Sequence, residues 1–232
     1  IHVETLDPRL ADKPAEAAKS SISDFLTELT GGFRLVKNSK PLSRIFLVIG
    51  IAFLADSILT VLFVAFFQDV IGVGSTEFGI SLTVRGLAGI LGGIVVGAVG
   101  GKFKPAHLIS FGLIGTGIGL GAMVFWPDFV LSLVILVLLS VPIMAWLLSS
   151  QTWIQSHSPD EYRGRVFGGL EMFNALLMLI GMGFASGVGD TIGISTALYI
   201  SAGFYVLSGV LAIILLGKAN AAPESDLQAG GE

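Results

Sequence analysis

Six long apolar segments dominate this sequence and limit the folds that are open to it. The segments cover residues 45–67, 78–101, 108–126, 129–155, 166–188 and 192–217. Each reaches the length of about 17–20 residues that a helix needs to cross the hydrocarbon core of a bilayer. Charged residues make up only 13% of the chain, compared with about 25% in soluble domains. The sequence therefore predicts an all-α integral membrane protein with six transmembrane helices over residues 44–217.

The two ends of the chain are polar and differ from the segments between them. Residues 1–43 are predicted to form a cytoplasmic linker. Within this linker, apolar residues recur at helical spacing over residues 21–37, which predicts an amphipathic helix lying on the cytoplasmic membrane surface. A short helix packed on a soluble partner domain is the alternative, because amphipathicity alone does not distinguish the two. Residues 218–232 are predicted to be a disordered cytoplasmic tail.

The basic residues indicate how the segments are oriented. All 13 Lys and Arg residues except Arg85 fall on one side of the membrane if the six spans are correct. The loops on the other side carry only acidic charges: Asp69, Glu77, Asp128 and Asp190. Cytoplasmic loops of membrane proteins are enriched in Lys and Arg. We therefore expect a multi-pass protein of the cell (inner) membrane with both termini in the cytoplasm.

Glycines recur at helical spacing in three of the segments, which predicts close approach between helices. We interpret these glycines as sites of tight packing between helices of one chain rather than as a face for dimerisation. The second segment has Gly89, Gly93, Gly97 and Gly101, the third has Gly115, Gly117, Gly119 and Gly121, and the fifth has Gly183 and Gly187.

Four stretches resemble parts of a known family. Residues 21–40, running through Pro41, resemble a central cytoplasmic linker, and residues 97–105 resemble a degenerate glycine-and-basic loop. Residues 158–166 contain the pattern Pro-x-x-x-Arg-Gly-Arg-Val, and residues 187–193 form a glycine-rich turn. Together these stretches resemble the C-terminal half of a major facilitator superfamily (MFS) transporter, and in particular prokaryotic drug, macrolide and siderophore exporters.

The resemblance implies a twelve-helix transporter of which this chain supplies the second half, built from two inverted three-helix repeats. The chain begins with Ile1 rather than Met, so we expect a fragment or a processed piece. The implied partners are the lipid bilayer, an N-terminal six-helix half of the same transporter and a small amphipathic solute. The implied activity is proton-coupled efflux by alternating access, driven by the proton gradient without a bound cofactor.

Charged and polar residues inside the segments are the candidate proton or substrate groups. Asp56 lies about 12 residues into the first segment, near the bilayer midplane. An ionised carboxylate is costly at that depth, so Asp56 is interpreted as a proton or substrate site, with a structural ion pair to Arg85 as the alternative. Arg85 lies at similar depth and either pairs with Asp56 or binds an anionic substrate. Thr60, one turn beyond Asp56, and Asn174 in the fifth segment complete this set.

A second set of residues lies near the predicted cytoplasmic ends of the segments. By resemblance, Glu171 pairs with a basic loop of the absent half and latches a cytoplasmic gate. The alternative is a local contact with Arg163 or Arg165. Lys102 and Lys104 complete the gate candidates, although their loop lacks the acidic residue and arginines of the full family motif.

The sequence contains none of the patterns expected for other function classes. It has no cysteine, no phosphate-binding loop and no catalytic triad, and its histidines are well separated. We therefore expect neither an enzyme nor a metal site, and the absence of a basic patch argues against binding to nucleic acid. A six-span membrane scaffold or regulatory subunit without transport activity is the alternative. Asp56 and Arg85 favour the transporter, because a scaffold gains little from charges at that depth.

Overall fold

The computed structural model describes residues 39–158 and 160–217, and this part of the chain forms six long helices and no strand. All six helices are long and apolar enough to cross a membrane, which confirms the all-α, six-span prediction. The predicted amphipathic helix at 21–37 and the tail at 218–232 lie outside the described residues. The helices are α1 (Lys40–Ala65), α2 (Ser75–Val99), α3 (Pro105–Phe125), α4 (Phe129–Ser156), α5 (Arg163–Ile192) and α6 (Ile194–Gly217).

The helices extend a few residues beyond several of the predicted segments. Helix α1 begins at Lys40 with Pro41 in its first turn, where the missing proline N–H has no helical partner to lose. It continues beyond Ala65 as a π-helical stretch, Phe66–Val70. Between α5 and α6, the backbone turns at Gly193, whose φ of 84° favours glycine. An apolar pattern marks only the part of a helix that lies in the hydrocarbon core. The helical turns that lie in the polar interface are therefore not predicted by it.

The helices pack in the order α5–α1–α6–α3–α4–α2, which differs from their order in the sequence. Each of the four inner helices packs extensively on two neighbours. Helices α2 and α5 lie at the two ends, and each has one main neighbour, α4 and α1 respectively. A few contacts between α1 and α4 bring the row round into an arc. The end helices therefore leave most of their surface uncovered.

Hydrogen bonds from serines of α6 to backbone carbonyls of α1 join these two helices. The Ser201 hydroxyl donates to the carbonyl of Ala55 at 2.7 Å, and the Ser208 hydroxyl donates to the carbonyl of Val48 at 2.6 Å. Residue numbers rise on one helix as they fall on the other, so the two helices run antiparallel. Small hydroxyl side chains of this kind let two helices approach closely in lipid.

Helices α3 and α6 cross where each presents a glycine to the backbone of the other. A Cβ added to Gly117 would lie 2.6 Å from the carbonyl oxygen of Ala202. A Cβ added to Gly209 would lie 2.9 Å from the carbonyl oxygen of Ser110. The predicted close approach of the third segment is therefore present at Gly117.

Helix α2 packs on α4 through a glycine that lies outside the predicted four-residue series. A Cβ added to Gly92 would lie 2.5 Å from the carbonyl oxygen of Ser140. At Gly93, Gly97 and Gly101, an added Cβ meets no atom within 4 Å in the described part of the chain. The expectation that this series packs against a neighbouring helix within the chain is therefore wrong at those three positions. The face of α2 that packs on α4 is the one that contains Gly92.

Candidate functional site

A cavity of about 400 Å³ lies inside the bundle, and all six helices contribute to its lining. Most of the lining is apolar, with aromatic rings from Phe53, Phe63 and Trp146. The Trp146 indole N–H is buried and has no hydrogen-bond partner in the described part of the chain. Besides this indole N–H, four polar side chains that form no hydrogen bond to their own helix line the cavity: Asp56, Arg85, Asn174 and Tyr205.

The Asp56 carboxylate is anchored from the opposite side of the α1–α6 interface. The hydroxyl of Tyr205, on α6, donates a hydrogen bond of 3.0 Å to Oδ1 of Asp56. Tyr205 is buried, whereas Asp56 is only partly buried and lines the cavity. A single donor satisfies part of a carboxylate, which has room for about four hydrogen bonds. Asp56 therefore keeps acceptor capacity that a proton or a solute in the cavity is able to use.

Arg85 lines the same cavity from α2 but is not paired with Asp56. Its guanidinium carbon lies 5.1 Å from the centre of the Phe63 ring, at the distance of a cation–π contact. In the described part of the chain, the one ion pair within 4.0 Å joins Arg163 to Asp160. The ion pair between Asp56 and Arg85, which was the alternative interpretation of the sequence, is thus not formed in this structure. Both side chains face the same cavity.

The remaining two residues of the first candidate set have different positions. Asn174, on α5, is partly buried and lines the cavity. Thr60 lies on α1 one turn beyond Asp56 but is exposed and is not among the residues that line the cavity. The structure therefore brings Asp56, Arg85 and Asn174 together and leaves Thr60 outside.

The candidate gate residues lie apart from this cavity. Glu171 is exposed and lines a smaller cavity of about 80 Å³ between α1, α4 and α5. Arg163 pairs with Asp160 at 2.9 Å and donates to the Gln155 carbonyl at the end of α4. Arg165 lies over the Tyr162 ring, 5.5 Å from its centre. Neither arginine forms an ion pair with Glu171 within residues 39–158 and 160–217. Lys102 and Lys104 are exposed in the connection between α2 and α3.

Tyr205 and the two serines that flank it, Ser201 and Ser208, were not among the site residues predicted from the sequence. Ser201, Tyr205 and Ser208 follow one another at intervals of four and three residues on a mostly apolar helix. This spacing puts all three on one face, and all three are buried and bonded to α1. A search for polar residues at helical spacing in the sixth segment would have found them.

One comparison with known proteins gives a family for the chain. The family model described as Major Facilitator Superfamily matches residues 45–231. No curated protein and no solved structure matches the chain. The matched range begins within α1 and includes the other five helices, the cavity and the candidate gate residues.

Proposed function

Since this chain belongs to the Major Facilitator Superfamily, a family of membrane transporters, we propose that it is one six-helix half of a proton-coupled exporter. The transporter moves an amphipathic small molecule out of the cytoplasm by alternating access, and the proton gradient drives it. The observation that carries the proposal is the cavity in which Asp56, Arg85 and Asn174 face a mostly apolar space. The export direction rests only on the resemblance of the chain to prokaryotic exporters of this family.

The size and lining of the cavity suit a small amphipathic solute. Its volume of about 400 Å³ falls within the range of about 300–1,000 Å³ that is typical of small-molecule sites. Such sites combine apolar and aromatic walls with a few polar groups that fix orientation. Here Phe53, Phe63 and Trp146 offer ring surfaces, while Asp56 and Arg85 offer one group of each charge.

Asp56 is the proposed proton carrier of the transporter. It is the one acidic residue that lines the cavity in the described part of the chain, and it lies in a membrane span. When ionised, Asp56 accepts a hydrogen bond or an ion pair from the solute; when protonated, it loses its charge and releases that contact. Exchange of solute for a proton at this carboxylate couples the two movements. Arg85 takes the anionic or hydrogen-bond-accepting part of the solute.

The exposed surfaces of α2 and α5 support a second six-helix half. Only 17% of the most apolar stretch of α2 and 22% of that of α5 is buried, compared with 56% in α1. The same two helices supply Arg85 and Asn174 to the cavity. A charged side chain facing lipid near the bilayer centre costs about 2.5–3.5 kcal/mol or more. We therefore place the N-terminal half of the transporter against α2 and α5, with the cavity between the halves.

The proposed cytoplasmic gate uses the charged residues at the ends of the helices. Glu171 has no ion pair in the described part of the chain, which leaves it available to a basic loop of the other half. Lys102 and Lys104, together with Arg163 and Arg165, lie on the side that the positive-inside rule assigns to the cytoplasm. We propose that the protein lies in the cell (inner) membrane with both termini in the cytoplasm, and the distribution of basic residues supports this orientation.

The intact mass of the native polypeptide tests the proposed second half. A mass near twice the 24.2 kDa of this chain supports a covalently joined N-terminal half. A mass near 24.2 kDa contradicts that arrangement and leaves the bundle to pair with a second copy or to act as a membrane scaffold.

A transport assay tests the role of Asp56. The native protein is reconstituted in vesicles that enclose a pH-sensitive dye, and a lipophilic dye, a macrolide and a siderophore are added in turn. We expect at least one solute to move protons, the Asp56→Asn variant to abolish this movement, and the Asp69→Asn variant to retain it, because Asp69 is exposed and does not line the cavity. Equal proton movement by Asp56→Asn and the native protein would overturn the coupling role.

A further inference from the structure

A second groove, which shares no lining residue with the first cavity, opens between α2, α3 and α4. We name it the α2–α3–α4 groove. Its volume is about 430 Å³, and it lies at the end of the bundle where the α2–α3 connection is found. Its lining includes Gly97, Gly101, Phe103, Pro105, Leu148 and Ser149.

The groove is open because α2 and the turn that follows it carry glycines on this surface. At Gly97 and Gly101, an added Cβ would meet no atom within 4 Å in the described part of the chain. Phe103 beside them is 55% exposed, and Leu148 across the groove is 36% exposed. The surface is therefore apolar, concave and unfilled, which suits a flexible hydrocarbon chain.

The end of the groove carries an uncompensated positive charge. Lys102 and Lys104 alternate in sequence with the lining residues Gly101, Phe103 and Pro105, and both lysines are exposed. Neither forms an ion pair within residues 39–158 and 160–217. Helix α3 begins directly after Lys104, but its first turn adds little to this charge, because Pro105 has no N–H and the amides of His107 and Leu108 bond to the Lys104 carbonyl.

A buried hydroxyl adds an independent observation. Ser149 is only 5% exposed, lines the groove and forms no side-chain hydrogen bond with the described residues. Among the other buried serines of the described residues, four bond a carbonyl of their own helix and two bond α1, whereas Ser132, Ser150 and Ser158 also lack a partner but do not line this groove. The hydroxyl of Ser149 is therefore available to a ligand in the groove.

We propose that the α2–α3–α4 groove binds one anionic phospholipid. Lys102 and Lys104 hold the phosphate at the membrane surface, the Ser149 hydroxyl offers a hydrogen bond inside the groove, and one acyl chain lies along Gly97 and Gly101 toward Leu148. Basic pockets between transmembrane helices on the cytoplasmic side are known to hold anionic headgroups. A lipid fits better than a transported solute, because the groove is separate from the cavity that contains Asp56. This inference requires that the chain spans a bilayer, but it does not require transport activity.

Lipid-dependent stability tests the headgroup. The melting temperature of the native protein in detergent is measured with added phosphatidylglycerol and with added phosphatidylcholine of the same chains. We expect phosphatidylglycerol to raise the melting temperature further than phosphatidylcholine. The Lys102→Gln/Lys104→Gln double variant should lose most of that difference. The Arg163→Gln/Arg165→Gln variant, which removes two charges from another loop on the same predicted side, should keep it.

Native mass spectrometry tests the acyl chain. Gly97→Leu places a side chain in open space, where it fills the groove without a steric clash at Cβ. Gly93→Leu is the matched control, because Gly93 is equally open but does not line the groove. We expect the retained phosphatidylglycerol adduct to fall strongly in Gly97→Leu and to persist in Gly93→Leu.

Four outcomes would overturn the proposal. The first is that phosphatidylglycerol and phosphatidylcholine raise the melting temperature equally, and the second is that the Lys102→Gln/Lys104→Gln variant keeps the full difference between the two lipids. The third is that both double variants lose this difference equally, as expected for bulk charge. The fourth is that inorganic phosphate alone raises the melting temperature as much as phosphatidylglycerol does. If Gly97→Leu does not fold, the lysine comparison decides, because exposed lysines are replaced there without any change in packing.

Discussion

The hydroxyl of Tyr205 donates a hydrogen bond of 3.0 Å to Oδ1 of Asp56, so α6 holds the acidic group that α1 presents to the cavity. Ser201 and Ser208, on the same face of α6, bond backbone carbonyls of α1. A polar stripe in an apolar helix therefore fixes both the pairing of the two helices and the position of the carboxylate.

The Tyr205 hydrogen bond contributes to stability as well as to the site. A double-mutant cycle of Tyr205→Phe and Asp56→Ala, which leaves no acceptor for the hydroxyl, should give a coupling free energy of about 0.6–1.7 kcal/mol, from the average to the largest value found for hydrogen bonds between membrane helices. The free energy of unfolding is measured in detergent or bicelles. Tyr205→Phe should also slow proton-coupled transport, because the carboxylate loses its anchor. A coupling energy of zero would mean that the bond does not persist in the membrane.

Arg85 should matter for transport more than for stability. Removing one partner of a buried ion pair costs about 3–5 kcal/mol, but Arg85 forms no such pair with Asp56 and loses only a contact with Phe63. A cation–π contact contributes about 0.5–2 kcal/mol. We therefore expect Arg85→Gln to lower transport at least tenfold, with a loss of unfolding free energy of no more than about 2 kcal/mol.

Arg85→Lys is the matched control for that measurement. It keeps the charge and loses the planar guanidinium, so it should retain part of the affinity for an anionic group. A loss of stability by Arg85→Gln as large as that expected for a broken buried pair would show that Asp56 and Arg85 pair in the membrane.

Neighbouring glycines on α2 should differ sharply in their tolerance of alanine. A Cβ at Gly92 would lie 2.5 Å from the Ser140 carbonyl oxygen, whereas a Cβ at Gly93 meets nothing within 4 Å. Overpacking of this kind costs about 1–3 kcal/mol. Gly92→Ala should therefore lower the free energy of unfolding by that amount, while Gly93→Ala should leave it unchanged or raise it slightly. Equal effects of the two would contradict the packing of α2 on α4.

Cysteine labelling checks the orientation of the helices. The 232 residues contain no cysteine, so single replacements report one position at a time. Asp128→Cys, between α3 and α4, should react with a membrane-impermeant thiol reagent in intact cells. Glu161→Cys, between α4 and α5, should react only after the membrane is opened. The reverse pattern would contradict the positive-inside assignment.

The sequence predicted the number and approximate limits of the helices because apolar length is a direct requirement of the bilayer. It did not predict the packing order. In lipid, the face of a helix that packs on protein and the face that meets acyl chains are both apolar. Gly92 illustrates the difficulty: the regular series from Gly89 to Gly101 pointed to one face, and the close contact with α4 formed on another.

Charged residues were easier to assign than their neighbours. Asp56 and Arg85 were selected because each is costly in a membrane span, and both line the cavity. Thr60 was selected only for its distance from Asp56 along the helix, and it does not line the cavity. Tyr205 was missed because it lies far from Asp56 in sequence, and its contact depends on the pairing of α1 with α6.

The packing order α5–α1–α6–α3–α4–α2 also constrains how the protein is made. Among helices adjacent in sequence, extensive packing in the described bundle is found only between α3 and α4. Helices α1 and α3 both pack on α6, and α6 leaves the ribosome after the other five helices. One face of α1 and one face of α3 therefore have no protein neighbour until α6 is inserted. Helices α1 and α3 must stay in the bilayer without one of their final neighbours until α6 follows, so membrane insertion and completion of the bundle are separate events during biosynthesis.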